Sequence, residues 1–194
     1  MKIDDVAYYK WGEDRKILTG AVQCGDEWFV DAYDTYTWYR AVAMKLQPRS
    51  IAELGVRYGY SAIAMIKGAR LDSFVGIDGE ADGILSNDTA LRNIQDTSSA
   101  ATNVTIHKLN TRTQFKDIIT AIGHCDMIHV DADHSPEGIV RELDIARRVC
   151  SGTILVDDCD VTHILDAAQD LARRKGAEFL ILPTQHQLGV IILP

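Results

Sequence analysis

Short apolar runs that end in polar or charged residues recur along the chain, with segments of helical periodicity between them. The first three runs span 50–54, 74–77 and 104–109, and the next two end at Asp131 and Asp157. An apolar run without strict alternation is typical of a strand buried on both faces of a parallel sheet. The intervening segments place apolar residues on one helical face, as Phe115, Ile118 and Ile122 do. This alternation predicts an α/β fold with a doubly wound sheet.

Two further apolar runs, 179–182 and 190–193, close the chain and are joined by residues 184–189. A connection of this length fits an antiparallel hairpin, which needs only a short turn. Together with the five earlier runs they predict a Rossmann-like sheet of seven strands, in which the closing hairpin contributes one antiparallel strand.

The first 49 residues follow a less regular pattern. Residues 27–30 are apolar enough for a short edge strand, and a helix that Asp34 or Thr35 caps is predicted to stop before Pro48. We predict that this segment is helical or irregular and packs on the core of a single-domain protein.

Residues with capping preferences mark several helix boundaries. Thr113 and Ser135 precede helical segments, and Pro136 suits the first helical position after Ser135. Gly123 and Gly176 follow the ends of two helical segments, where glycine adopts the left-handed conformation that terminates a helix. Helices are therefore predicted to begin and end close to these positions.

The composition narrows the classes of partner. With 28 acidic and 20 basic residues the formal net charge is −8, which argues against nucleic acids and membrane surfaces as partners. No apolar stretch approaches the length of a membrane span, and the N-terminus lacks the basic and apolar regions of a secretion signal. The four cysteines show neither CxxC pairing nor zinc-site spacing, so reduced thiols in a cytoplasmic protein are expected.

Two acidic clusters follow the fourth and fifth apolar runs. Asp131 and Asp133 come after one run, and Asp157 and Asp158 after the other. Ligands of an open α/β sheet bind outside the carboxyl ends of its strands, so these carboxylates are predicted to converge there. They would repel one another unless a cation joined them, and oxygen ligands suit Mg²⁺. The alternative is that they cap helices or are solvated, and His129 inside the fourth run is expected to be a hydrogen-bonded core residue.

A turn with two glycines follows the first predicted strand, in residues 53–61 (ELGVRYGYS). Gly55 and Gly59 would let a ligand approach the backbone closely, and the helix that follows offers N–H groups to an anionic group. The spacing departs from GxGxxG, which weakens the case for a dinucleotide. Asp78, at the end of the next strand, suits hydrogen bonds to a ribose diol.

This turn resembles motif I of class I S-adenosylmethionine-dependent O-methyltransferases, especially the metal-dependent catechol and caffeoyl-coenzyme A types. Residues 126–138 resemble the DGDHSYEG segment of bacterial sugar and natural-product O-methyltransferases. Those include macrolide and aminocoumarin sugar methyltransferases and cephalosporin methoxylation proteins. The resemblance implies the class I methyltransferase fold, with residues 50–194 as an S-adenosylmethionine-binding methyltransferase domain.

Carried onto matching positions, the resemblance implies a cofactor site and a metal site. Glu53 would support the glycine turn, and Asp78 would hold the ribose hydroxyls. The residues implied in cofactor binding are Glu53, Gly55, Gly59, Ser61, Asp78, Asn110, Thr111 and Asp131. The residues implied in Mg²⁺ binding are Asp131, Asp157 and Asp158.

The resemblance leaves two candidates for the catalytic general base. In the sugar methyltransferases the base corresponds to Asp133. In the catechol type it is a lysine three residues after the first metal aspartate, where this chain has His134. Either a carboxylate or an imidazole can accept the proton of a hydroxyl that a metal has oriented and acidified.

We therefore predict a Mg²⁺-dependent enzyme that transfers a methyl group from S-adenosylmethionine to a hydroxyl of a sugar, catechol-like molecule or natural product. The resemblance also suggests a homodimer. One alternative is a nicotinamide-dependent oxidoreductase, which would need a GxGxxG turn and a catalytic Tyr/Lys or His pair that the sequence does not show. Another is a non-catalytic S-adenosylmethionine-binding module or partner subunit, which would have no need of the acidic clusters.

Overall fold

A computed structural model describes residues 33–80 and 87–194, and the predicted edge strand at 27–30 lies outside them. The helices are α1 (Tyr33–Leu46), α2 (Tyr60–Gly68), α3 (Asn87–Thr97), α4 (Phe115–Ile122), α5 (Pro136–Val149) and α6 (Thr162–Lys175). The strands are β1 (Ser50–Leu54), β2 (Ser73–Ile77), β3 (Asn103–His107), β4 (Cys125–Val130), β5 (Cys150–Val156), β6 (Glu178–Leu182) and β7 (Leu188–Ile192). Across the described ranges, no helix combines the length and the apolar character needed to cross a membrane.

The strands form one seven-stranded sheet in the order β3-β2-β1-β4-β5-β7-β6. Strands β1 to β5 run parallel, whereas β7 pairs antiparallel with both β5 and β6. The predicted α/β fold, with its doubly wound seven-stranded sheet and closing hairpin, is therefore confirmed.

The pairing register aligns the carboxyl ends of the three central strands. Leu54 of β1 lies opposite Val130 of β4, which in turn lies opposite Val156 of β5. The ladder continues one step further, because the Asp131 N–H donates to the Leu54 carbonyl at 2.9 Å and the Asp157 N–H donates to the Val130 carbonyl at 3.2 Å. The residues that follow β1, β4 and β5 therefore meet at one edge of the sheet.

Helices cover both faces of the sheet. Helices α1, α2 and α3 contribute to the core on one face, and α4, α5 and α6 to the core on the other. Successive strand residues point to opposite faces, so Met127 belongs to the first core and Ile128 to the second. Burial on both faces explains why the strands are nearly continuous apolar runs.

Helix α1 is the described part of the N-terminal segment, and it packs across α2. Tyr39, Val42 and Ala43 on its inner face are buried. The two helices approach closely, because a Cβ at Gly68 would lie 2.4 Å from the Arg40 carbonyl oxygen. Only glycine fits at that crossing.

Several helix boundaries follow the predicted capping residues. The Ser135 side chain accepts the Gly138 N–H at 3.1 Å, and α5 begins with the proline after it. Gly123 and Gly176 follow the ends of α4 and α6 as predicted, and Gly176 has the left-handed conformation, with φ +62° and ψ +28°. Gly123 has a positive φ of +65° but a ψ of −90°, which lies outside the left-handed helical region.

The segment between β3 and α4 differs from the prediction. Strand β3 ends at His107, two residues before the predicted end, because the chain turns there. The predicted Thr113 cap is wrong, since α4 begins at Phe115 after Gln114, whose side chain makes no capping hydrogen bond. The Thr113 N–H instead donates to the Asn110 carbonyl at 3.2 Å within a turn.

Candidate active site

The glycine turn between β1 and α2 lies directly against the loop after β4. Gly55 and Gly59 have φ values of +90° and +83°, a backbone conformation that glycine adopts freely. A Cβ at position 55 would lie 2.1 Å from the Asp131 carbonyl oxygen, so a side chain is excluded there. The turn predicted to hold a cofactor therefore adjoins the loop that carries the first predicted metal ligand.

A buried chain of hydrogen bonds supports this turn. The Ser61 hydroxyl, at the start of α2, donates to Oε1 of the fully buried Glu53 on β1. The same oxygen lies 2.7 Å from His129 Nδ1 on β4, and His129 Nε2 lies 2.9 Å from the Tyr39 hydroxyl on α1. Burial lowers the pKa of His129, but the hydrogen bond and the charge of Glu53 outweigh burial and raise it to about 9. His129 is thus the hydrogen-bonded core residue expected from the sequence.

Asp78 joins the glycine turn to the end of β2. Its Oδ2 accepts the Arg57 N–H at 2.8 Å, and its Oδ1 accepts the Glu80 N–H at 2.7 Å. Each carboxylate oxygen can accept a further hydrogen bond. The half-buried Asp78 therefore retains the acceptor capacity that a ribose diol requires.

Asn110 and Thr111, the residues implied beside an adenine, follow β3. Asn110 Oδ1 accepts the Arg112 N–H at 2.8 Å, which fixes an Asx turn. Thr111 is buried, and its side chain interacts with Glu142 of α5. The Asn110 side chain is thus used to shape the loop, and the Thr111 side chain is turned into the protein.

The side chains of Asp131, His134, Asp157 and Asp158 meet at the carboxyl ends of β4 and β5, and we refer to them as the acidic mouth. His134 Nε2 lies 3.1 Å from Asp131 Oδ1 and 3.3 Å from Asp158 Oδ2. Potential ligand atoms lie within 4.8 Å of one another in Asp131, His134 and Asp158, and also in Asp131, Asp157 and His129. Asp131 thus lies close to both of the other predicted metal ligands, to Asp158 in the first group and to Asp157 in the second.

Three residues in the acidic mouth, Asp157, Asp158 and His134, have raised pKa values. Burial, and then the charge of Asp131, raises the pKa of Asp157 to about 7, and the same two causes raise the pKa of Asp158. A hydrogen bond with Asp131 raises the pKa of His134 to about 9, although partial burial opposes this shift. A divalent cation would relieve the repulsion. The donor set fits a hard cation, because Asp157 Oδ1 is buried and has no hydrogen-bond partner among the described residues.

The carboxylate of Asp133, one of the two predicted bases, is buried and paired with Arg112. This carboxylate accepts two hydrogen bonds from Arg112, at 2.8 Å and 3.0 Å, and a third from the Ser135 N–H at 3.1 Å. Burial raises the pKa of Asp133, but these hydrogen bonds outweigh burial and lower it to about 2. A Cβ at Gly138 would lie 2.1 Å from Asp133 Cγ, so the side chain is pressed against the first turn of α5. His134, and not Asp133, is the predicted base that the structure brings to the carboxylates.

Arg112 and Glu142 are site residues that the sequence did not predict. Glu142 is 1% exposed on the inner face of α5 and interacts with Thr111 and with the backbone of Ala132 and Asp133. Burial raises its pKa to about 7, although these interactions oppose the shift. The sequence held a signal for Glu142, because this carboxylate interrupts the apolar stripe of α5. Arg112 lies in the loop after β3, and no pattern in the sequence indicated that it would contact Asp133.

Comparison with known proteins identifies the family. A family model described as a methyltransferase domain matches residues 52–159, which include the glycine turn, Asp78 and the acidic mouth. No curated protein sequence matches the chain.

Three solved structures resemble the whole chain. The methyltransferase PaMTH1 of Podospora anserina, bound to S-adenosylhomocysteine (SAH), is 15% identical, with a TM-score of 0.67 over 97% of this chain and 99% of that chain. The SAH complex of an O-methyltransferase from Bacillus cereus is 16% identical, with a TM-score of 0.65 over 99% and 95%. The S-adenosylmethionine complex of the O-methyltransferase TomG from Streptomyces achromogenes, involved in tomaymycin synthesis, is 14% identical, with a TM-score of 0.65 over 97% and 92%.

At these identities the solved structures establish a shared fold. The family model covers more than half of the chain, from residue 52 to residue 159 of 194. The protein therefore belongs to the methyltransferase-domain family and has the class I methyltransferase fold.

Proposed function

We propose that the protein is an S-adenosylmethionine-dependent O-methyltransferase that acts, with Mg²⁺, on a hydroxyl group of a small molecule. The observation that carries the proposal is the contact between the Gly55 turn and the Asp131 backbone. This contact sets a site for the methyl donor beside carboxylates that can hold a cation. Methyl transfer needs such adjacency, because the hydroxyl oxygen must approach the methyl carbon in line with the bond to sulfur.

S-adenosylmethionine, which supplies an electrophilic methyl group when bound, would lie along the ends of β1 and β2. Gly55 and Gly59 would receive its amino-acid end, and Asp78 its ribose hydroxyls. Asn110 and Thr111 would border the adenine, through the backbone in the case of Thr111. The SAH and S-adenosylmethionine complexes among the structural neighbours support this choice of cofactor.

Asp131, Asp157 and Asp158 are the proposed Mg²⁺ ligands. The raised pKa values of Asp157 and Asp158 and the unpartnered Asp157 Oδ1 support a cation at this point. When bound, Mg²⁺ would orient a substrate hydroxyl and lower its pKa.

His134 is the proposed general base, because a cation on Asp131 and Asp158 would offset the negative charge that raises the pKa of His134 and would leave its imidazole able to accept a proton. Its ring is exposed at the acidic mouth, within hydrogen-bond distance of Asp131. A base must reach the proton that it accepts, and the carboxylate of Asp133 is buried and held by Arg112. We assign Asp133 the role of fixing the loop after β4.

The acceptor is proposed to be a small hydroxylated molecule, with neither nucleic acid nor membrane as partner, because the formal net charge of −8 disfavours anionic surfaces. A cytoplasmic location is proposed from the three free cysteines found in the described part of the chain, all of them buried. A homodimer stays a prediction from the family resemblance.

Calorimetric titration with S-adenosylmethionine, SAH and NAD, each with and without Mg²⁺, tests the proposal. We expect the first two ligands to bind and NAD not to bind. A panel of sugars, catechols and other hydroxylated molecules should then yield a product that mass spectrometry identifies as an O-methyl ether, only when a divalent cation is present.

The other outcomes select the alternatives. Binding of NAD without binding of S-adenosylmethionine would identify an oxidoreductase. If S-adenosylmethionine binds but no acceptor is methylated with any of the divalent cations tested, the result would favour the non-catalytic module. Turnover that continues in the presence of a strong chelator of divalent cations would show that the reaction does not need Mg²⁺.

A further inference from the structure

The hydrogen-bond chain that supports the glycine turn reaches a helix outside the family match. The match begins at residue 52, whereas Tyr39 belongs to α1. Tyr39 is 1% exposed, and its ring packs edge-on against His129, with centroids 4.7 Å apart and planes at 63°. Its hydroxyl, 2.9 Å from His129 Nε2, ends the chain that begins at Ser61.

Glu53 depends on this chain for its orientation. Its hydrogen bonds with Ser61 and His129 converge on Oε1, whereas Oε2 is buried and has no partner among the described residues. A carboxylate held through one oxygen can rotate about that oxygen unless the groups bonded to it are fixed. The His129 ring is fixed at its other nitrogen by the Tyr39 hydroxyl.

We propose that Tyr39 is a positioning residue for the cofactor site, because its hydroxyl fixes His129, which with Glu53 fixes Ser61 in the first turn of α2. This inference rests on the proposed S-adenosylmethionine site. The first turn of α2 presents the backbone N–H groups that would face the amino-acid end of the cofactor. A helix outside the matched domain thus sets the affinity for the cofactor.

Tyr39→Phe tests the proposal, since it removes the hydroxyl and keeps the ring packing. The dissociation constant of SAH, measured by calorimetry, should rise about 2- to 30-fold, the range for residues that act through a network. The KM for S-adenosylmethionine should rise in parallel. At saturating cofactor kcat should change much less than the dissociation constant, because the phenylalanine ring keeps the packing against His129.

Met44→Leu is the control, because it changes an exposed side chain on the same helix and leaves the Tyr39–His129 hydrogen bond in place. Its effect on SAH affinity should stay below about twofold. A merely structural role of Tyr39 would lower thermal stability and kcat together, with no selective effect on the cofactor.

Hydrogen exchange gives a readout that needs no ligand. The Ile63 N–H donates to the Gly59 carbonyl at 2.9 Å in the first turn of α2. In Tyr39→Phe this amide should exchange about tenfold faster, the equivalent of one weakened hydrogen bond. The amide of Ile154, in the central strand β5, should keep its wild-type rate.

Ser61→Ala removes the opposite end of the chain. Because both residues act through Glu53, the double variant should weaken SAH binding no more than the stronger single variant. Additive effects, or unchanged Ile63 exchange and SAH affinity in Tyr39→Phe, would overturn the proposal. A wild-type protein that binds no SAH would overturn the proposed function instead, and Ile63 exchange alone would then decide whether Tyr39 fixes the turn.

Discussion

The glycine turn after β1 and the acidic mouth after β4 and β5 lie side by side and are built in opposite ways. The turn is held by hydrogen bonds between protein groups, from Ser61 through Glu53 to His129 and from two backbone N–H groups to Asp78. The mouth brings carboxylates together, and burial with the charge of Asp131 raises the pKa of its neighbours.

In the proposed function, this difference separates a cofactor site whose internal hydrogen bonds are already made from a metal site that gains stability when a cation binds. The turn would receive the cofactor without rearrangement, whereas a bound cation or proton would stabilise the mouth. Substitutions in the mouth should therefore abolish turnover and spare cofactor binding. Substitutions in the turn should weaken cofactor binding and largely spare the turnover that is measured at saturating cofactor.

Asp157→Ala is expected to have the largest effect. It removes the proposed ligand whose Oδ1 is buried and unpartnered among the described residues, so Mg²⁺-dependent turnover should fall at least about 10³-fold. Calorimetry should show unchanged SAH affinity. Asp166→Asn, which alters an exposed carboxylate on α6, is the control and should leave both quantities unchanged. Substantial activity in Asp157→Ala would exclude Asp157 as a required metal ligand.

His134→Gln tests which of the two predicted bases, His134 or Asp133, accepts the proton. Turnover should fall about 10²-fold, the low end for a lost general base, while SAH affinity stays the same. Asp133→Asn should lower turnover far less, because the Asp133 carboxylate is buried and already accepts hydrogen bonds from Arg112 and Ser135. A larger loss of turnover in Asp133→Asn than in His134→Gln would return the role of base to Asp133.

Asp78→Ala tests the role of the glycine turn in cofactor binding. Loss of the proposed ribose contacts should weaken SAH binding by about 1–3 kcal/mol, the scale for hydrogen bonds to a charged group. At saturating S-adenosylmethionine the remaining turnover should still require Mg²⁺. Calorimetry and initial rates at two cofactor concentrations measure the two effects. If SAH binds Asp78→Ala as tightly as wild type, the ribose does not contact this residue.

The fold could be predicted because burial on both sheet faces leaves continuous apolar runs in the sequence. Parallel register then places the residues after β1, β4 and β5 at one edge, so the proximity of Gly55, Asp131 and Asp157 followed from strand ends alone. The failure of the predicted Thr113 cap could not be foreseen, because the turn after β3 is made through the backbone carbonyl of Asn110. Every residue has such a carbonyl, so this hydrogen bond leaves no signal in the sequence.

The roles of Asp133 and His134 could not be separated from the sequence. Asp131 and Asp133 both follow β4, so both were predicted to converge with Asp157 and Asp158, but Asp133 instead pairs with Arg112. Its partner Arg112 lies 21 residues earlier on another loop, so no local pattern links them. Glu142 was predictable in principle, since a carboxylate on the inner face of α5 needs polar neighbours.

The smallest expected effect is on stability, in Asp133→Asn. Hydrogen bonds from Arg112 and Ser135 overcome burial and lower the folded-state pKa of Asp133 to about 2, below the value of about 3.9 for an unfolded chain. The ion pair therefore stabilises the fold fully above pH 4, and this contribution is lost as the pH falls through about 2. Because Arg112 is largely exposed, we expect a loss of only about 1–2 kcal/mol at pH 7, or roughly 2–8 °C in Tm.

Denaturant unfolding of wild type and Asp133→Asn at pH 7, 5 and 2.5 measures this contribution. The difference in unfolding free energy should be constant between pH 7 and pH 5 and should shrink toward pH 2.5, because protonation of Asp133 then removes the same charge in wild type. Asp117→Asn, an exposed carboxylate in the first turn of α4, should show a much smaller difference at every pH. A difference that does not change with pH would mean that Asp133 stabilises the loop through packing against Gly138 and not through its charge.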